Sequence, residues 1–488
     1  MGTAMMKRII PAMLFAVIAC LFVVMGTTAC DSASSLDDDY FTPPSSEDSP
    51  APPPIDASPD QGVENTNTPP PPPETYPGPG VELLPYNGVV EHLFFHEVIA
   101  WPELAFDGGP DEAGYDDYMI TALEFERVLE SLHRNGFILV DLNDVWSEYT
   151  NESGEQRMRR NTLMLPEGKK PLVFSFDDIN FYEYMQGFGF MDQLVIGDDG
   201  GIWAAGTDPS GNAIISQDYT AVTILDRFIM ENPDFSMHGV KGCIALTGYQ
   251  GILGYRTQFD RNDDSPEARL DRMLEIARVR PVVDKLKETG WYFASHSYGH
   301  IGLHRNPLET VKDDAQRWMD EVGSLVGETM IFIYPFGSRL DGGDVYSTGP
   351  AFWFYYDLGF RIFASVGSEP FTRIKPDLAA VVLDRMNVDG ITLRGIVQQG
   401  AYERFLRFYD AAEIYDDRRP DFGVRWQNGA QGAEAGEPSG AEYGEPGYGS
   451  GESGAEYGDP GFGSGETGVE DGELGVEGGE TGVEGPSA

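Results

Sequence analysis

Four segments of the sequence end an apolar run in residues able to do chemistry. Leu172-Val173-Phe174-Ser175-Phe176 leads straight into two adjacent carboxylates, Asp177 and Asp178. Neighbouring residues at a strand end point in different directions, so one acid can ligate a metal while the other faces a water. Trp291-Tyr292-Phe293-Ala294-Ser295 delivers two imidazoles, His296 and His300, with Gly299 before the second to let the chain curl. Two His and one carboxylate leave coordination positions open for water and substrate, the catalytic rather than the closed structural arrangement. Zinc (Zn2+) is the default ion for that ligand set, with cobalt, nickel, iron and manganese as alternatives. Ile331-Phe332-Ile333-Tyr334 breaks at Pro335-Phe336-Gly337, where a backbone N–H at Phe336 can face a developing oxyanion. Glu91-His92-Leu93-Phe94-Phe95-His96-Glu97 is an early strand with a histidine at each end.

Taken singly these signals are weak. An Asp-Asp pair usually opens a turn or a helix, a His-x-x-x-His usually lies on an exposed helix, and a histidine in an aromatic strand is commonly a packed core residue. Their strength lies in four reactive clusters each placed at the end of a predicted strand, where a (β/α) barrel gathers its active site.

The elements that must position them alternate. Strand-like runs fall at 91–98, 137–141, 171–176, 242–246, 291–295, 330–334, 360–366 and 380–386, and helical stripes fall at 121–134, 221–231 and 265–289, the last with a break expected near Pro281. Strands alternating with helices predict an α/β fold with a parallel sheet, closed as a complete or distorted (β/α) barrel.

In order along the chain, Phe176-Asp177-Asp178, His296-Ser297-x-x-His300 and Tyr334-Pro335-Phe336-Gly337 resemble the first three motifs of the polysaccharide deacetylase family with the NodB homology domain, over roughly residues 90 to 390. The resemblance implies a distorted barrel and a metal-dependent N-deacetylase. It implies Asp177 as general base and Asp178, His296 and His300 as metal ligands. Two departures stand out: the third motif usually begins with an Arg that orients the base, where this chain has Ile333, and the late Asp-Trp and Leu-x-His motifs are absent. In circularly permuted members an early strand supplies the general acid, and Phe94-Phe95-His96 is similar to it, which makes His96 the expected acid. The companion Arg for Asp177 is then Arg385 or Arg256. A degenerate, sugar-binding protein on the same fold and another metal amidase are the competing expectations.

The long segment between Ile179 and Lys241 carries Phe181, Tyr182, Tyr184, Phe188 and Trp203, candidates for lining a sugar cleft, although core packing explains such aromatics equally well. His92, His133, His238 and His304 read as structural or surface residues, and Cys243, in an apolar strand, as a buried inert thiol.

The flanks have a different character. Lys7 and Arg8 precede an apolar run ending in Thr27-Thr28-Ala29-Cys30, so residues 1–30 read as an export signal whose Cys30 sits in a lipobox-like setting. An uncleaved membrane-spanning anchor is the alternative, and in either case the body lies on the extracellular face of the membrane or is secreted. Residues 31–80 are a Pro/Ser/Asp-rich spacer, residues 81–425 the catalytic domain, and residues 426–488 a Gly/Glu-rich tail whose copies begin at Gly440, Gly454 and Gly468, a composition that predicts disorder. With 80 acidic against 33 basic residues and a net charge of −47, the chain lacks the cationic surplus that phosphate backbones require, which argues against nucleic acid. A polysaccharide is the expected partner, and no protein partner is predicted.

Overall fold

The computed structural model describes residues 76–341, 348–400 and 402–420. The predicted signal, nearly all of the spacer, and the acidic tail lie outside these residues. No helix among the described residues is long and apolar enough to cross a membrane.

Seven parallel strands form a closed barrel: β1 (Glu91–Phe95), β2 (Lys170–Asp177), β3 (Cys243–Leu246), β4 (Tyr292–Ser295), β5 (Ile331–Ile333), β6 (Ile362–Val366) and β7 (Val381–Asn387). They follow chain order around the ring, which closes where Met386 and Asn387 of β7 pair with Leu93 and Phe94 of β1. The connections carry α1 (Ala122–Arg134), α2 (Ala221–Glu231), α3 (Pro266–Glu288), α4 (Leu308–Trp318) and α5 (Pro350–Asp357), and α6 (Gly390–Gln399) follows β7. Helix starts obey local chemistry. Thr121 and Glu124 form a reciprocal capping box on α1, and the side chains of Thr220, Ser265 and Asp389 accept from backbone N–H groups of α2, α3 and α6.

The two-residue period of the strands sorts the core into shells. Leu172, Phe174 and Phe176 of β2 face outward into the layer beneath the helices, where Phe95 meets Phe125 and Phe174 at ring separations of 5.0 and 5.1 Å. Each such buried ring contributes about 1.5–3 kcal/mol. The alternate residues, with Val173, Ala245, Ala294, Ile333 and Ala364 among them, fill the barrel interior and its lower end. Above them the inward positions turn polar, and the site begins there.

All eight predicted strands are present, but Phe137–Leu139 is not a stave of the barrel. It pairs with the start of β2 through Phe137↔Lys170 and Leu139↔Leu172, whereas β3 joins the same edge of β2 only from Ser175 upward. A long β2 beside a short β3 leaves a seam at the bottom, and Phe137–Leu139 fills it. The break expected at Pro281 does not occur, and α3 runs through it. Val279, Val282, Val283 and Leu286 are buried on either side of Pro281, and this packing holds the turn despite the lost N–H bond. Antiparallel elements outside the predicted pattern are the hairpin of Trp146–Thr150 with Gln156–Arg160, the three-stranded sheet of Gln193–Ile196, Ile202–Thr207 and Ala213–Ser216, the pair of Leu83–Tyr86 with Leu163–Pro166, and Thr372–Ile374 along β7.

Candidate active site

The upper end of the barrel opens into a cleft that is continuous with solvent. Asp177, Asp178, His296, His300, His96 and Phe336 all line it, so one cleft brings together the six residues singled out in the sequence.

Asp178, His296 and His300 each present a ligand atom within 4.8 Å of the others. Asp178 Oδ2 lies 3.5 Å from His300 Nε2 and 3.9 Å from His296 Nε2. The remaining polar atoms of two of these residues are occupied. His296 Nδ1 lies 2.9 Å from the Ile333 carbonyl, which takes an N–H there and leaves Nε2 with its lone pair toward the cleft. Tyr182 donates to Asp178 Oδ1 at 2.5 Å and also meets Thr247 Oγ1 at 2.6 Å, which leaves Asp178 Oδ2 turned to the histidines. Two imidazole nitrogens and one carboxylate oxygen, oriented in this way, are a donor set suited to a divalent cation. Burial holds His296 below the usual imidazole range. Burial, followed by the charge of His96, holds His300 at about 4, so both rings are neutral and ready to ligate at neutral pH.

The backbone here is strained. Asp178 (φ 61°), Ser297 (56°), His300 (51°) and Phe336 (55°) are all left-handed. Such conformations cost roughly 1–3 kcal/mol each in residues with a Cβ and persist where surrounding structure enforces them. Phe336 sits in the turn after β5, its ring edge-on to His300 at a centroid distance of 4.3 Å. The neighbouring N–H groups of Gly337 and Ser338 are taken by the Tyr334 and Pro335 carbonyls, and among the described residues no acceptor takes the Phe336 N–H.

Asp177 is gripped by Arg385. Its Nη1 lies 2.7 Å from Oδ1 and its Nη2 2.9 Å from Oδ2, with the guanidinium 4.2 Å above the Phe94 ring and Nη1 also bonded to Ser175 Oγ at 2.9 Å. Burial alone would push the Asp177 carboxyl up. The charge of Arg385, then that of His296, overcomes this and holds it well below the usual carboxylate range. Of the two candidate companions, Arg385 is therefore the one that meets Asp177. Arg256 instead binds the Gln250 and Phe181 carbonyls at 2.7 and 2.8 Å and braces the loop that carries Tyr182.

His96 lies close enough for its charge to act on Asp177, His300 and Asp389. Asp389 is buried and held by Asn387 Nδ2 at 2.5 Å and the Thr392 N–H at 2.7 Å. Beside His96, Glu97 is buried. Its Oε1 accepts from the Val98 and Ala221 N–H groups at 2.9 and 3.0 Å, while its Oε2 has no partner, and burial pushes the carboxyl up to about 7.

His92 is buried against Ser175 Oγ at 3.0 Å, one step behind Arg385, and His133 pairs with Asp234 at 2.9 Å. Of the candidate cleft aromatics, Tyr182 and Tyr184 line the site, Phe181 is core, and Trp203 bonds Asp199 on the antiparallel sheet. Cys243 is fully buried.

No family model and no curated protein matches this sequence. Among solved structures, the chain is similar to a Streptococcus pyogenes deacetylase, PplD, in complex with acetate, at 11% identity and a TM-score of 0.36, over 67% of this chain and 100% of that one. It is also similar to BC0361, a polysaccharide deacetylase from Bacillus cereus, at 12% identity and a TM-score of 0.35, over 67% of this chain and 69% of that one.

Proposed function

We propose that this chain is a metal-dependent hydrolase that removes N-acetyl groups from a cell-envelope or extracellular polysaccharide, peptidoglycan or another N-acetylhexosamine polymer, and releases acetate. The observation that carries the reading is the meeting, in one cleft, of an Arg-clamped carboxylate with a triad of one Asp and two His. Asp178, His296 and His300 would hold the metal, with zinc the proposed ion. When bound, it supplies Lewis acidity toward the acyl oxygen and the attacking water.

Asp177 orients that water and takes its proton as the oxygen adds to the acetamide carbon. The charge that develops on the acyl oxygen meets the N–H of Phe336. Collapse breaks the C–N bond, and a protonated His96 gives its proton to the departing nitrogen, leaving acetate and a free amine. Asp389 lies close enough to His96 for the charge of the imidazole to act on it. The competing sugar-binding reading rests on the absent motif arginine and late histidine; Arg385 brings a guanidinium to Asp177 from another strand and His96 lines the same cleft, which favours the enzyme. Tethering through Cys30 belongs to the same proposal and is supported by the charged, apolar and small-residue order of residues 1–30. A mass spectrum with an unmodified mature start would remove it.

Asp177→Asn tests the assignment. Turnover is expected to fall about 10²–10⁴-fold with metal binding retained, and undiminished turnover would refute the base.

A further inference from the structure

Asp314 belongs to α4, is 7% exposed and does not line the cleft, yet it grips the loop between the two histidines of the triad. One carboxylate oxygen accepts the Tyr298 N–H and the other the Gly299 N–H, each at 2.7 Å. These are the second and third residues after His296, and the next residue is His300. The loop needs such a hold, because Ser297 and His300 on either side of it are both left-handed. A carboxylate bonded to two consecutive N–H groups fixes the peptide planes on which the left-handed turn depends, and charge-assisted bonds of this length are about twice as strong as neutral ones.

The rest of the loop is held by other means. The Tyr298 carbonyl accepts the Gly248 and Tyr249 N–H groups at 2.8 and 3.1 Å, and its hydroxyl donates to Glu321 at 2.9 Å. Glu321 lies in the π-helical turn Met319–Gly323 that continues α4, and Arg317 bonds it while stacking 4.0 Å over the Tyr298 ring. This anchor secures the side chain of Tyr298. Among the described residues, only Asp314 accepts from the two N–H groups that set the direction in which His300 leaves the loop.

We infer that Asp314 is a positioning residue for the metal site: its carboxylate holds the loop from His296 to His300 in the conformation that presents both imidazoles to one ion. The inference rests on the reading of Asp178, His296 and His300 as metal ligands. Its distinctive consequence is that metal affinity, and not stability alone, depends on the number of acceptor oxygens at position 314.

The test is Zn2+ affinity of the full-length protein, measured by competition with a chromophoric chelator, together with the visible spectrum of the Co2+-loaded form. Asp314→Asn is isosteric and keeps one acceptor; it is expected to bind Zn2+ about 10–100-fold more weakly with an altered Co2+ spectrum. Asp314→Ala is expected to lose more, and if it fails to fold, D314N alone carries the test. Glu321→Gln, which loosens the Tyr298 side chain without touching either N–H, is expected to lower the melting temperature but leave Zn2+ affinity within about twofold. D314N that matches the wild type in affinity and spectrum, or E321Q that loses as much affinity as D314N, would overturn the inference. A wild-type protein that binds neither Zn2+ nor Co2+ would overturn the metal-centre reading and the inference together, and the two failures are thereby told apart.

Discussion

Arg385 on β7 and Asp177 on β2 form a bidentate pair at 2.7 and 2.9 Å, with the guanidinium fully buried and β1 lying between their strands. The pair does two things to the carboxylate. It fixes both oxygens, and it holds the carboxyl well below the usual carboxylate range, so as the proposed base Asp177 would be a weak one. A weak base would suffice where a bound metal had already loosened the proton of the water, which would link the role of Arg385 to the triad beside it.

Arg385→Met should expose the cost of burying Asp177 alone. Removing one partner of a buried pair costs about 3–5 kcal/mol. In the wild type the folded carboxyl lies below its unfolded value, so its contribution to stability is present above the unfolded range and is lost as pH falls through the folded value. In the variant, burial raises the folded value instead, so the penalty applies above the unfolded range and is relieved by acid. The gap in melting temperature between the two proteins should therefore be widest near pH 7 and narrow toward pH 4. A gap independent of pH would mean that the two charges are not coupled.

His96→Gln separates proton donation from the rest of the chemistry. An amine leaves only with a proton, whereas the phenolate of an activated aryl acetate leaves without one. N-deacetylation should fall about 10²–10⁴-fold, while hydrolysis of the aryl ester should fall far less. Equal losses on both substrates would remove His96 as the general acid.

Glu97 predicts a pH-dependent weakness in the fold. Its carboxyl is pushed from an ordinary 4.5 up to about 7 by burial, against the pull of the Val98 and Ala221 N–H groups. The folded state therefore holds a proton that the unfolded chain releases, and stability falls as pH rises from about 4.5 to 7 and then levels off. Glu97→Gln carries no proton to lose and can keep both N–H bonds through its amide oxygen. It should match the wild type near pH 5 and exceed it near pH 8, by up to about 3 kcal/mol, as read from urea melts at the two pH values. An equal difference at both would contradict the buried, proton-holding state of Glu97.

The barrel was legible in the sequence because most staves are compact apolar runs, and the candidate ligands lie at strand ends: Asp178 and His296 directly after β2 and β4, and His300 four residues beyond His296. Asp178, His296 and His300 needed only the rule that strand ends carry the site. What escaped depends on contacts between distant strands. Spacing alone could not choose between Arg385 and Arg256, since that depends on barrel closure placing β7 beside β1 and two strands from β2. Asp389 reads locally as a helix cap, with Thr392 three residues on, and only its burial beside His96 gives it a second meaning. Asp314 gave no signal, sitting on an amphipathic helix where an Asp is ordinary. The antiparallel sheet around Trp203 was hidden because its strands are only four to six residues long, and the longest, Ile202–Thr207, holds the small residues Ala204, Ala205 and Gly206 in place of an apolar–polar alternation.

The activity proposed for the cleft is chelator-sensitive amide hydrolysis of an acetylated sugar polymer. Acetate release by the full-length protein from N-acetylated chitooligosaccharides and from purified peptidoglycan, with added Zn2+ and with a chelator, tests it most directly. Acetate and a matching number of free amines are expected, abolished by the chelator and restored by Zn2+. No acetate from either polymer while Zn2+ is demonstrably bound would contradict it.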